Sequence, residues 1–136
     1  MFTWNNLLRF SLYFQSIFYF IAGINHFLNP KFYLPLIPEY IPWHDFINIF
    51  SGIAEILLAI GILFKSIRKI SSLLIMLMLI AFIPSHWYFI QIGSCVDDGL
   101  CVDPIIGWLR LLLVHPILIL WAYSVYQLPI NKKAPH

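Results

Sequence analysis

The sequence predicts an all-α fold, a four-helix bundle embedded in a membrane, and three observations carry that expectation. The 136-residue chain is 61% hydrophobic and only 10% charged, far from the roughly 25% charged residues of a soluble domain. Its apolar residues gather into four runs, roughly 7–28, 46–64, 70–90 and 105–127, each close to the ~20 residues that a helix needs to cross a bilayer. Only two connectors of any length separate them, 29–45 and 91–104, so a single transmembrane domain accounts for residues 1–136 and none are left for a soluble one.

The first run follows an apolar N-terminus that is too long for a signal peptide and lacks a small-residue cleavage site, so it reads as a retained span. It ends in Asn25 and His26. The connector after it holds four prolines, Pro30, Pro35, Pro38 and Pro42, among large apolar residues. Proline at that density is expected to break any regular helix or strand. Its apolar residues would avoid water, so it reads either as a lid lying at the membrane interface or as a merely greasy connector.

The second run contains Glu55. A charge at the bilayer centre costs about 2.5–3.5 kcal/mol on insertion scales and normally faces a bundle interior with a partner. Ser51, Gly52, Glu55 and Ala59 recur at spacings of three and four, placing the carboxylate on a small-residue face that admits close neighbours. The third and fourth runs each contain a proline near a histidine, in Pro84-Ser85-His86 and His115-Pro116. Each proline removes a helical hydrogen bond and frees the carbonyl four residues earlier, here Ile80 and Leu112.

The second connector carries both cysteines, Cys95 and Cys101, with an Asp-Asp-Gly turn between them. A structural disulfide is the first reading. A redox-active dithiol is disfavoured by Asp97 and Asp98, which repel a thiolate. A metal clip would use an unrecognised ligand spacing.

Six basic residues, Arg9, Lys65, Arg68, Lys69, Lys132 and Lys133, fall on one side of the four runs, against Lys31 on the other. The positive-inside rule then makes both termini cytoplasmic. Trp4, Trp43, Trp87 and Tyr126 sit near run ends, where an aromatic belt belongs. The net charge of +2 is small and scattered, which excludes nucleic acid and leaves the lipid bilayer as the principal partner.

Counted inward from the outer run ends at ~1.5 Å per residue, Glu55 and His115 lie about 15 Å deep, Arg110 about 8 Å, and His26 and His86 about 3–6 Å. All five point to the outer half. Glu55 matches His115 in depth and is within reach of Arg110, so either is its expected partner. On a regular helix, however, Arg110 and His115 stand about 140° apart, which argues against both facing one group. With Asn25 and Gln15 these residues would line a polar pocket beneath the lid; alternatively, each histidine fixes packing by bonding a neighbouring helix. Haem or a metal held through His26, His86 and His115 is a further alternative, though no two of them share a ligating spacing on one helix. No phosphate-binding glycine loop or nucleophile elbow occurs.

Gly23-Ile24-Asn25-His26-Phe27 with Pro30 and Tyr33, then Ile37-Pro38, Ser51-Gly52-Ile53-Ala54-Glu55, Arg68, Phe82-Ile83-Pro84 and Trp108-Leu109-Arg110 running into Ile119-Leu120-Trp121-Ala122, resembles the DoxX-like family of small four-span membrane proteins. The resemblance covers nearly the whole chain and implies a bacterial inner-membrane bundle with His26, Glu55 and Arg110 as its signature polar residues. Relatives include a subunit of a thiosulfate:quinone oxidoreductase and, more distantly, receptor-assembly chaperones. This chain differs at His115, where a glutamine is usual, at Ser85-His86, where Ala-Asn is usual, and in its Cys95/Cys101 loop. The expectation is a ligand-binding or accessory component of quinone-linked or thiol redox metabolism. Its site would be His26, Glu55, His86, Arg110, His115 and Asn25, its ligand a quinone-like molecule, and its partner a membrane or periplasmic oxidoreductase. A stand-alone enzyme is disfavoured, since no cofactor motif is present. The competing expectation is a non-enzymatic assembly factor or structural subunit of a larger membrane complex; self-association is left open.

Overall fold

The computed structural model describes residues 4–129, with side chains from residue 6. The Trp4 ring and Lys132 and Lys133, on which part of the expected belt and charge asymmetry rests, lie outside the described residues. The chain is all-α. Four helical stretches, Asn6–Leu28, His44–Gly61, Arg68–Gln91 and Pro104–Tyr126, are long and apolar enough to cross a membrane.

Helix α1 (Trp4–Leu28) buries Leu12, Gln15, Ser16, Tyr19, Gly23 and His26, a single face at helical spacing. The proline-rich connector is more ordered than expected. Pro30–Tyr33 forms a helical turn, α2, and Leu34–Leu36 a 3-10 turn. Pro30 and Pro35 each stand at the start of their turn, where proline loses no needed hydrogen bond and its fixed φ is already helical. Ile37 and Pro38 are buried, and Tyr40 and Trp43 point outward.

Helix α3 (His44–Gly61) buries Ser51, Gly52, Glu55 and Ala59 together with Asn48, as the small-residue spacing predicts. It packs along α1 through glycine contacts. A Cβ on Gly23 would lie 2.7 Å from the Gly52 carbonyl oxygen, and one on Gly52 would lie 2.8 Å from the His26 Cβ. The helix stops at Gly61 and not at the expected Phe64, because Arg68 folds back. Its Nε donates to the Ile62 carbonyl at 2.8 Å and its Nη2 to that of Leu63 at 3.3 Å, capping the carbonyls that a helix end leaves free.

The third span is α4 (Arg68–Ala81) followed by α5 (Ile83–Gln91), broken at Phe82 ahead of Pro84. The fourth is α6 (Pro104–Leu109), a π-helical stretch Arg110–Val114, and α7 (His115–Tyr126). Contacts run α1 to α3, α3 to α4, α4 to α7 and α7 to α1, closing the bundle. Between the last two spans Cys95 and Cys101 form a disulfide. They pair across an isolated bridge, and the Val96 amide donates to the Leu100 carbonyl at 3.0 Å around the Asp97-Asp98-Gly99 turn. Toward the Ile62–Ile67 turn, Leu12, Ala59, Ile62, Ile75, Ala122, Val125 and Leu128 form the apolar core.

Candidate functional site

At the lid end the helices part around a cavity of about 860 Å³. Tyr19 and His26 reach it from α1, Glu55 from α3, His86 from α5, and Arg110 and His115 from the fourth span. Five of the six expected site residues therefore border one space. Asn25 does not. Its amide donates to the Tyr33 hydroxyl at 2.9 Å and accepts from Asn29, so it holds the lid and not the cavity wall. Gln15 is fully buried deeper in the bundle, where neither side-chain amide atom has a hydrogen-bond partner among the described residues.

His26 is held on two sides and faces Glu55 on the third. Asn48 donates its Nδ2 to the His26 carbonyl at 3.1 Å, which leaves its Oδ1 facing His26 Nδ1 at 2.7 Å. An amide oxygen only accepts, so Nδ1 carries the hydrogen. Tyr33 lies flat on the imidazole, ring centroids 3.7 Å apart and planes at 20°. Burial raises the Tyr33 hydroxyl above the ordinary phenol range, keeping its proton on. The third side, Nε2, faces Glu55 Oε2 at 3.6 Å. That is too long for a hydrogen bond, and Oε2 has no other partner among the described residues.

The partner of Glu55 is thus His26, not Arg110 or His115. The reason lies in the stagger of the helices. His26 sits two residues from the end of α1 but packs beside Asn48 and Gly52, so α3 overshoots it by about two turns. Depth counted from each helix's own end places the two residues at different levels when they are side by side.

His115 donates Nε2–H to the Leu79 carbonyl, a backbone acceptor that fixes its tautomer. This bond ties the fourth span to the third just before the break at Phe82. His86 meets the His115 ring edge to face, centroids 4.8 Å apart. Arg110 holds its guanidinium carbon 5.6 Å from the Phe89 ring centroid and makes no ion pair among the described residues. Arg110 and His115 border the same cavity despite the 140° expected between them, because the helix is not regular there. The His115 amide bonds the Arg110 carbonyl, five residues back, and in an i→i+5 turn those two positions share a face. Pro116, which has no N–H to give, sits where the regular pattern resumes.

Among the described residues no three His, Cys, Asp or Glu side chains are placed to hold a metal ion. His26 gives Nδ1 to Asn48 and His115 gives Nε2 to Leu79, which leaves the other ring nitrogen of each as the one a ligand would meet. Sequence reasoning missed Tyr19, Tyr33 and Asn48. Two of them carried a signal: Tyr19 precedes His26 by seven residues and Asn48 precedes Glu55 by seven, two turns along the same buried face.

No curated protein and no solved structure matches the chain. Residues 16–126 match the family described as a domain of unknown function (DUF8561), a stretch that contains every cavity residue named above. The chain belongs to that family.

Proposed function

We propose that the protein binds a quinone-like molecule in the cavity at the lid end and serves as a ligand-binding or accessory component of quinone-linked or thiol redox metabolism. The observation that carries this reading is the convergence of His26, Glu55, His86, Arg110 and His115 on one cavity, with Glu55 Oε2 lacking a hydrogen bond among the described residues. Ionisable groups at membrane depth are expensive and mark functional pathways by default. The chemistry suits a quinone. Its carbonyl oxygens accept hydrogen bonds from Arg110 and the Tyr19 hydroxyl, its reduced hydroxyls donate to Glu55, and the His26–Glu55 pair holds or releases a proton at Nε2 or Oε2. Electrons come from a partner oxidoreductase in the same membrane, as the resemblance to DoxX-like proteins suggests. In this reading the Ile62–Ile67 turn and both termini are cytoplasmic, since Arg9, Lys65, Arg68 and Lys69 gather at that end, and the lid faces the periplasm of a bacterial inner membrane.

Solvent extraction of protein purified from membranes, followed by mass spectrometry, tests the ligand. A quinone is expected with the parent and is lost with Glu55→Gln. Impermeant thiol labelling of Ser66→Cys in intact cells tests the orientation; no labelling is expected.

The second reading is a non-enzymatic assembly factor or structural subunit. It is favoured by the structural use of His115 on Leu79 and of His26 on Asn48. A stable protein partner together with no extractable small molecule would select it.

A further inference from the structure

The cavity is roofed at one end and open on one side. At the roof, Ile37 and Pro38 are buried, His44 Nε2 lies 3.2 Å from the Pro38 carbonyl, and the 3-10 turn packs on both α3 and α5. Tyr33 is pinned to His26 beneath it. The side between α3 and α4 is different. Phe50 and Leu57 of α3 and Leu77 of α4 border the cavity, yet they are 62%, 63% and 52% exposed. Ile53 and Leu74 share both properties. Side chains that border a cavity and also present half their surface outward mark the place where it opens. The two helices meet near the turn that joins them, where Gly61 abuts Ser71. Beyond it α3 follows α1 and α4 follows α7, so a slit widens toward the lid. The five slit residues are all apolar, and the polar groups stand behind them.

We infer that the cavity is loaded sideways from the bilayer: its ligand is a membrane-dissolved amphiphile that passes head first between α3 and α4, leaving an extended apolar tail in the slit against Leu57, Leu74 and Leu77. This rests on the ligand-binding reading and adds to it the route and the need for a tail. Water-soluble ionic molecules are excluded by the same features, because the slit offers them no polar contact and the roof bars the aqueous side. The arrangement lets the head exchange water for protein hydrogen bonds at the His26–Glu55 pair while the tail never leaves an apolar medium.

The test uses the full-length protein in lipid nanodiscs and two dimethoxy-methyl-benzoquinones, one without a tail and one with a decyl tail ending in a diazirine. Binding of both is measured by equilibrium dialysis, corrected for partition into protein-free discs. The diazirine adducts are then mapped by mass spectrometry with and without excess unlabelled decyl quinone. The expected result is at least tenfold tighter binding of the tailed probe, with competable adducts on Phe50, Ile53, Leu57, Leu74 or Leu77. In the double variant Leu57→Trp, Leu77→Trp the ratio of the two affinities falls toward one. Should that variant fail to fold, the adduct map on the parent protein decides alone. Competable adducts on Ile37 or Ile41, or equal affinities for the two probes, would overturn the lateral route while leaving the cavity as a binding site. Binding of neither probe would overturn both.

Discussion

Toward the Ile62–Ile67 turn the spans close on Leu12, Ala59, Ile75, Ala122 and Val125, each no more than 3% exposed, whereas toward the lid the same spans part around His26, Glu55, His86, Arg110 and His115. The two ends also treat an arginine differently. Arg68 spends its guanidinium on the carbonyls of Ile62 and Leu63, while Arg110 rests on the Phe89 ring with no ion pair among the described residues. Helix association in a membrane depends on contact packing and not on expulsion from water. A bundle that packs tightly at one end can therefore leave the other open. The α1–α3 seam stays close at both ends, through Ser16 donating to the Ala59 carbonyl at 2.7 Å and the Gly23–Gly52 approach.

That contrast can be broken most severely at the seam. Gly52→Leu would push a side chain against the Gly23 carbonyl 3.0 Å from its Cβ, a backbone neighbour that cannot rotate away. The cost expected is about 3 kcal/mol, the upper range for overpacking, and size-exclusion of detergent extracts should show loss of the folded peak. At the packed end, Ile75→Ala leaves a void among fully buried neighbours. About 2 kcal/mol is expected, the low end for such truncations, because lipid and not water is the alternative solvent. A thermal melt in detergent measures it.

A double-mutant cycle sharpens the account of the cavity. His26→Ala with Glu55→Gln should show about 1 kcal/mol of coupling, in the range for side chains that touch, while Arg110→Gln with Glu55→Gln should be additive. Coupling to Arg110 of equal size would restore the pairing that the sequence suggested. The smallest effect belongs to the slit: Leu77→Ala should change stability by less than about 0.5 kcal/mol, as at ordinary surface sites. A shift as large as that of Ile75→Ala would mean that α3 and α4 close on each other there.

The four long helices, the small-residue face of α3 and the disulfide were legible in the sequence because each follows from local pattern: run length, spacing of three and four, and a turn between two cysteines. So was the convergence of five polar residues, which needs only that buried charges avoid lipid. The pairing within that set was not legible, since it depends on how far one helix slides past its neighbour, and no feature of α1 or α3 alone records the stagger. In the sequence Arg68 is one of six basic residues on one side of the runs and one of the residues shared with DoxX-like proteins, with no role assigned. Its position just beyond an apolar helix end, where cations meet free carbonyls, was the signal for its capping role.

Arg110–Val114 holds one residue more than a regular turn across the same gap would need. Removing a single leucine from Leu111–Leu113 would leave the apolar character of the span unchanged and would set Arg110 and His115 four residues apart, on one face of a regular α-helix. Arg110 would keep its place at the cavity, and Trp108 its edge-to-face contact with Trp87, where the centroids are 5.8 Å apart. The wide turn is thus what absorbs the extra residue: with the full count and a regular helix, Arg110 would stand about 140° from His115. A relative one residue shorter here would present the same guanidinium without a π turn.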